Sequence, residues 1–344
     1  MYANGVYLVA DVGCASLSTD QQVSPNSRFA ATRLLFTYMN RWLRFDEPML
    51  GTCRVGKRNR LLPLAKTMKP AFLGLGVHKG GSTWIYQVLY EHPALCVPEK
   101  DLHFFSVERV WKNGRPWYEA LFRRCRPGLV CGEYSNTYFP SARAAERIHA
   151  LYPEVKLFVC LRHPVERAFS HYLQDLKMGH LAPGATFEAS LDVHPQYLEW
   201  GRYAQHLTSY LDLFDREQMG VLLFDDLVDN PSNFVRTLYR FLDVADDFLP
   251  AVLGRHVNVS RLPRWRFIDR FMRRTAETLR RSHAGAWLWG RVKKAGLPDR
   301  VRRWNTSSLP PPALSAEMRA QLQTVFAADI AYVKSFLNRP NLNW

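Results

Sequence analysis

The chain has 344 residues, of which 47% are hydrophobic and 22% charged, with a formal net charge of +15. That length allows one large α/β domain or a core with an appended lobe, and the composition is that of a globular chain rather than a disordered or fibrous one. The six cysteines (14, 53, 96, 125, 131 and 160) form no C-x-x-C pair, so zinc-ribbon and thioredoxin-like sites have no support, and reduced thiols in a reducing compartment are expected.

The first segment, MYANGVYLVADVG, has no basic run ahead of its apolar stretch and is a poor secretory leader. No stretch reaches the about 18 uninterrupted apolar residues that a spanning helix needs. A cytoplasmic protein is therefore expected. Phe29–Phe45, interrupted by Arg33, Arg41 and Arg44, has the make-up of an interfacial amphipathic helix, which would give peripheral membrane contact, or of a loosely packed extension. Residues 1–68 show little periodicity and end in a basic, breaker-rich run. They are expected to be a poorly ordered extension, with Met68 as a candidate alternative start.

Sharp patterning begins at Ala71. Ala71–Val77 (AFLGLGV) is a short apolar run predicted as a strand, and Ser82–Glu91 follows as a helix that stops before His92-Pro93. Leu129–Glu133 is a second strand. Ser141–Leu151 is a helix with Ser141 as its cap. Lys156–Leu161 is a third strand, and Pro164 stands where a helix takes its first residue, so a helix is predicted to Lys177. Met219–Phe224 is a fourth strand and Asn233–Leu242 another helix. Continuous apolar strands separated by helices predict a P-loop-like α/β fold, a central parallel sheet with helices on both faces, in a single domain over residues 69–344.

Residues 255–310 break this rhythm. Between Arg255 and Arg303, fifteen Lys/Arg accompany three Asp/Glu. The stretch reads as a basic, lid-like helical segment or as a solvated basic face; such charge can meet nucleic acid, an anionic membrane, an acidic glycan or a polyphosphate. Met318, Leu322, Val325, Phe326, Ile330, Val333 and Leu337 then recur at helical spacing, which predicts one core-facing final helix.

Two segments carry chemistry. In F72-L-G-L-G-V-H-K-G-G-S-T-W84 a strand turns into a helix through Gly80-Gly81, which admits close backbone approach. The helix start offers free N–H groups and the positive end of its dipole, Ser82 and Thr83 add hydroxyls, and Lys79 adds a charge. This is a site for a tetrahedral anion. The dinucleotide fingerprint fails because Lys79 stands at the third glycine, and the Walker A order fails because Lys precedes the glycine pair. In L161-R-H-P-V-E-R-A-F-S-H-Y172 a strand again opens into a helix. Arg162 at the strand end can fork onto a phosphate, and Ser170 lies two turns into the helix. Both segments place polar groups at the carboxyl ends of strands, where open sheets bind ligands. Two separated anion sites suit a nucleotide with phosphates at both ends of its ribose.

This arrangement resembles the sulfotransferase family that uses 3′-phosphoadenosine-5′-phosphosulfate (PAPS). Lys79 to Thr83, with Trp84 after them, look like its 5′-phosphosulfate loop, and Arg162 with Ser170 like its 3′-phosphate site. Within the family, D101-L-H-F-F105, G132-E-Y-S-N-T-Y-F139 and L337-N-R-P-N-L-N-W344 resemble the heparan sulfate and related bacterial carbohydrate branch. The resemblance implies PAPS as donor, adenosine 3′,5′-bisphosphate as product, no metal, and a hydroxyl or amine acceptor on a carbohydrate or glycolipid. Transfer would be an in-line displacement, by analogy with phosphoryl transfer. It makes Lys79 the electrostatic residue and Asp101 the base, with His103 and Glu99 as alternatives. The sequence departs from the heparan enzymes in having Asp101 for a longer Glu, and Tyr134 for a Lys that helps at the sulfate; either another cation serves instead, or Lys100 or Lys79 suffices. Two rivals are a P-loop-type nucleotide kinase, which lacks its Walker order and an evident Mg²⁺ acid here, and a non-enzymatic nucleic-acid binder using the basic stretch, which would leave both anion loops unexplained. A small-molecule or glycan acceptor, and no nucleic acid, is expected.

Overall fold

The computed structural model describes residues 69–182, 184–254, 275, 278–279, 289–292, 296–304 and 312–344. The extension expected over 1–68 and most of the basic segment 255–310 lie outside the described residues.

Five parallel strands form the sheet: β1 (Phe72–Gly74), β2 (Leu95–Cys96), β3 (Val130–Tyr134), β4 (Lys156–Leu161) and β5 (Met219–Leu223), in the order β2-β3-β1-β4-β5. β1 is central, with Phe72 opposite Gly132 on one side and Lys156 on the other. The chain leaves β1 towards β2 and β3, then crosses to β4 and β5. The carboxyl end of β1 is thus the switch point at which an open sheet leaves a crevice.

The strands are apolar because both of their faces are covered. Leu73, Leu157, Val159 and Leu161 pack with helices α3 (Ala142–Leu151) and α5 (Tyr203–Leu211), reinforced by α2 (Gly114–Leu121). Phe72, Phe158, Cys160 and Leu222 pack on the other face with α1 (Ser82–Glu91) and α7 (Pro231–Phe241). A third cluster lies between α4 (Pro164–Met178), Phe187, Tyr197 and the last two helices. The predicted helix starts at Ser141 and Pro164 are realised: Ser141 Oγ accepts from the Ala144 amide, and Pro164 opens α4. The strand expected over Ala71–Val77 is regular for only three residues, because Gly76 takes φ 125°. Its bonding to β4 nevertheless continues, from Leu75 N–H to Phe158 O at 2.8 Å and from Val77 N–H to Cys160 O at 3.2 Å.

The final helix differs from expectation. It is two, α8 (Ala316–Val325) and α9 (Ala327–Phe336), broken at Phe326. Arg202 from the start of α5 takes the Val325 carbonyl at 2.7 Å and lies over the Phe326 ring at 5.6 Å, so an outside donor occupies a carbonyl of the last α8 turn. Leu322, Phe326, Ile330 and Val333 are buried as the stripe predicts, whereas Val325 is 37% exposed.

The cysteines also differ. Cys96 and Cys125 form a disulfide, so the expectation of reduced thiols is corrected: β2 and the turn after α2 bring two cysteines 29 positions apart in the sequence within 5.7 Å at Cα. Cys131 on β3 is a buried free thiol whose sulfur lies within 4.8 Å of both. Among the described residues, no helix is long and apolar enough to cross a membrane.

Candidate active site

The turn after β1 is shaped by two residues in left-handed conformation, Lys79 at φ 75° and Gly81 at φ 85°. Gly81 caps α1, and its carbonyl receives the Trp84 and Ile85 amides at 2.9 and 3.1 Å. The Ser82 and Thr83 amides at the head of the helix have no helical acceptor and form its anion-binding end. Gly80 does something other than face a ligand: a Cβ there would lie 2.4 Å from the Cys160 carbonyl oxygen, so its bareness lets the turn press onto the end of β4. Gly80 serves packing, and Gly81 the helix entry.

A cavity of about 1050 Å³ opens at this switch point. Lys79, Gly81, Ser82, Thr83 and Trp84 line it from the turn and α1, and Arg162 and Ser170 line it from the end of β4 and from α4. Seven of the eight residues expected at the donor site therefore face one cavity, and Gly80 stands behind it. Phe224, Leu227 and Val228 of α6 (Phe224–Asp229) supply an apolar wall. The Arg162 guanidinium lies 4.8 Å over the Phe224 ring, donates to the Lys79 carbonyl at 3.4 Å, and belongs to a residue whose own carbonyl accepts from Tyr203 Oη at 2.7 Å. Burial lowers its pKa.

Lys79 Nζ donates to Gln174 Oε1 at 2.6 Å, and Gln174 Nε2 lies 3.3 Å from His78 Nε2. Burial, then the neighbouring charges of Arg162 and Lys177, pull the Lys79 pKa down to about 8. Burial likewise brings His78 to about 3, so it is neutral at physiological pH. Sequence reading missed Gln174, His78 and Phe224. Gln174 stands one turn beyond Ser170 on the same helical face, a periodicity that could have found it; Phe224 ends a predicted strand and only tertiary contact shows its role.

The three candidate bases separate. Asp101 lines the cavity together with Lys100 and Asn136. Its carboxylate pairs with Lys100 and accepts from the Asn136 amide at 3.3 Å. His103 is not among the cavity-lining residues: its Nδ1 lies 2.8 Å from Thr137 Oγ1, and burial lowers its pKa. Glu99 is exposed and does not line the cavity. Tyr134 is fully buried, with its hydroxyl donated to the Gly76 carbonyl at 2.9 Å, and Lys100, bridged to it across the sheet edge, is the cation that reaches the cavity on this side.

A parallel sheet with an anion-binding helix start and a second cationic group at its switch point defines an α/β fold with a cationic cavity at the carboxyl ends of its strands. The sulfotransferase domain family matches residues 69–261, more than half of the chain, and the chain belongs to that family. It is 28% identical over 255 residues to human heparan sulfate glucosamine 3-O-sulfotransferase 5, covering 70% of this chain and 72% of that one. It is 34% identical over 210 residues to human heparan sulfate glucosamine 3-O-sulfotransferase 6, covering 57% of this chain and 59% of that one. The crystal structure of a sulfotransferase from Alicyclobacillus acidocaldarius shares its fold, with a TM-score of 0.58 and 24% identity over 79% of this chain and 97% of that one. The chain is thus a sulfotransferase.

Proposed function

We propose that the chain transfers the sulfuryl group of PAPS to a hydroxyl or amine of a carbohydrate or glycolipid acceptor. The observation that carries this reading is the convergence of the Lys79–Trp84 turn with Arg162 and Ser170 on one cavity. The phosphosulfate takes the α1 amides and Lys79, the 3′-phosphate takes Arg162 and Ser170, and the adenine lies against the apolar wall of Phe224 and Leu227. The acceptor oxygen or nitrogen attacks sulfur in line, the bond from sulfur to the phosphate oxygen breaks, and its electron pair leaves on adenosine 3′,5′-bisphosphate. Lys79 stabilises the charge that grows on that oxygen. Asp101 takes the acceptor proton, since it alone of the three candidates faces the cavity, and Lys100 takes the electrostatic part that a buried Tyr134 leaves open.

The acceptor class rests on the relatives, whose names specify heparan sulfate glucosamine. The compartment reading changes from the one expected: the Cys96–Cys125 bridge favours an oxidising compartment over the cytoplasm. The test is transfer from radiolabelled PAPS across heparan sulfate, glycolipids and phenols. Label on glycan is expected. Label on phenols alone would overturn the acceptor class, and no transfer to any of them would overturn the proposed reaction.

A further inference from the structure

Behind the cavity wall lies a buried carboxylate that the transfer scheme does not use. Glu133, on β3, is 0% exposed. Three hydroxyls converge on it: Tyr118 Oη donates to Oε2 at 2.6 Å, while Tyr138 Oη and Ser135 Oγ donate to Oε1 at 2.6 and 2.5 Å. All three donors are themselves fully buried. Burial raises the Glu133 pKa, and the three hydroxyl bonds oppose that rise. Holding a carboxylate in an apolar core is costly, so a role that only filled space would be met more cheaply by an apolar side chain.

One of the three hydroxyls leads out to the site. Ser135 Oγ, while donating to Glu133, accepts the His103 amide at 3.0 Å. The 101–103 loop needs such anchors because Asp101 and His103 both lie in left-handed conformation, at φ 56° and 55°, which a non-glycine residue holds only when its surroundings impose it. The other anchors come from the same strand end: the Asp101 amide bonds the Tyr134 carbonyl at 2.9 Å, and the Asn136 amide bonds the Asp101 carboxylate. The serine hydroxyl has one proton. With that proton given to Glu133, its lone pairs face the His103 amide; without Glu133 the hydroxyl is free to turn.

We propose that Glu133 is a positioning residue that, through Ser135, fixes the 101–103 backbone and so aims Asp101 into the cavity. This rests on the proposed role of Asp101 as base. It assigns the other two hydroxyls a different part: Tyr118 and Tyr138 satisfy the carboxylate without touching the loop.

The test compares Glu133→Leu, which leaves Ser135 without an acceptor, and Ser135→Ala with Tyr138→Phe. All three disturb the same buried cluster, but only the first two break the link to His103. Each variant is assayed with labelled PAPS and heparan sulfate, and its binding of adenosine 3′,5′-bisphosphate is measured by calorimetry. For the first two, kcat is expected to fall about 10- to 100-fold, the range that small misplacement of a reacting group produces, with nucleotide affinity unchanged. Tyr138→Phe should keep kcat. Amide hydrogen exchange gives a readout that needs no acceptor: His103 exchanges faster in Glu133→Leu and Ser135→Ala, and at the wild-type rate in Tyr138→Phe. Equal exchange at His103 in all variants, or equal kcat in all, overturns the positioning role. An Asp101→Asn variant with wild-type kcat overturns the underlying reading of Asp101 instead, and leaves the exchange result to judge the link. Should one of these two variants fail to fold, the other carries the same comparison.

Discussion

The ammonium of Lys79 rests 2.6 Å from the side-chain oxygen of Gln174, one helical turn beyond Ser170 on α4. The residue proposed to meet the sulfate is thus held by the same helix that carries Ser170, proposed for the 3′-phosphate, and the two ends of the proposed donor site share one rigid element. The amine is also poised to lose its proton near physiological pH, at about 8, because burial and Arg162 disfavour its charge.

Donor affinity should therefore depend on pH in one direction. Below pH 8 Lys79 is charged and attracts the anion; above it the amine is neutral and the attraction is lost. Binding of an anion raises the amine's pKa, so association takes up a proton on the alkaline side. Calorimetry with adenosine 3′,5′-bisphosphate from pH 6.5 to 9.5 should show affinity falling above pH 8, by at most about tenfold per pH unit for one linked proton. Lys79→Arg, charged throughout, should flatten the curve; an unchanged slope in that variant would assign the titration elsewhere.

Arg162→Ala should raise the KM for PAPS about 10- to 100-fold, the range of a lost charge-assisted hydrogen bond. Affinity for adenosine 5′-phosphosulfate, which lacks the 3′-phosphate, should change far less. Equal losses for both nucleotides would mean that Arg162 acts by holding the Lys79 carbonyl and the Phe224 ring rather than by binding phosphate.

The two glycines of the turn should respond differently. Gly80→Ala drives a methyl to 2.4 Å from the Cys160 carbonyl, which is backbone and cannot step aside, so both melting temperature and nucleotide binding should fall sharply. Gly81→Ala retains φ 85° at a strain of about 1–2 kcal/mol, with the Phe224 ring 3.3 Å from the new methyl. Thermal unfolding of the two variants should rank them in that order; the reverse order would contradict the packing role of Gly80.

What the sequence made legible follows physical lines. α1, α4, β4 and β5 could be read because each has a continuous apolar run or a capping residue beside it, and the residues that line the cavity from the turn after β1 because their charge and glycine pattern is local. β2 could not be read: two residues, Leu95 and Cys96, carry no periodicity. The break at Phe326 depends on Arg202, more than a hundred residues away, and the disulfide depends on how β2 meets the turn after α2. Among the three candidate bases, composition treats Asp101, His103 and Glu99 alike, and only the left-handed turn at 101–103 decides which one meets the cavity.

That turn sits inside the segment closed by Cys96 and Cys125. Reduction should lower stability by about 3–4 kcal/mol, the loop-entropy value for a closure of this length. Activity should fall with it, as the Asp101 segment gains freedom. Denaturant unfolding with and without a thiol reductant, followed by activity under both conditions, checks this; identical stability in the two states would show that the bridge contributes nothing.

The identity of the donor is tested most directly by titration of the full chain with adenosine 3′,5′-bisphosphate in a metal chelator, beside ATP with Mg²⁺. Saturable binding of the bisphosphate without metal is predicted, weakened at least about tenfold by Lys79→Ala. Binding of ATP with Mg²⁺ but not of the bisphosphate would contradict it.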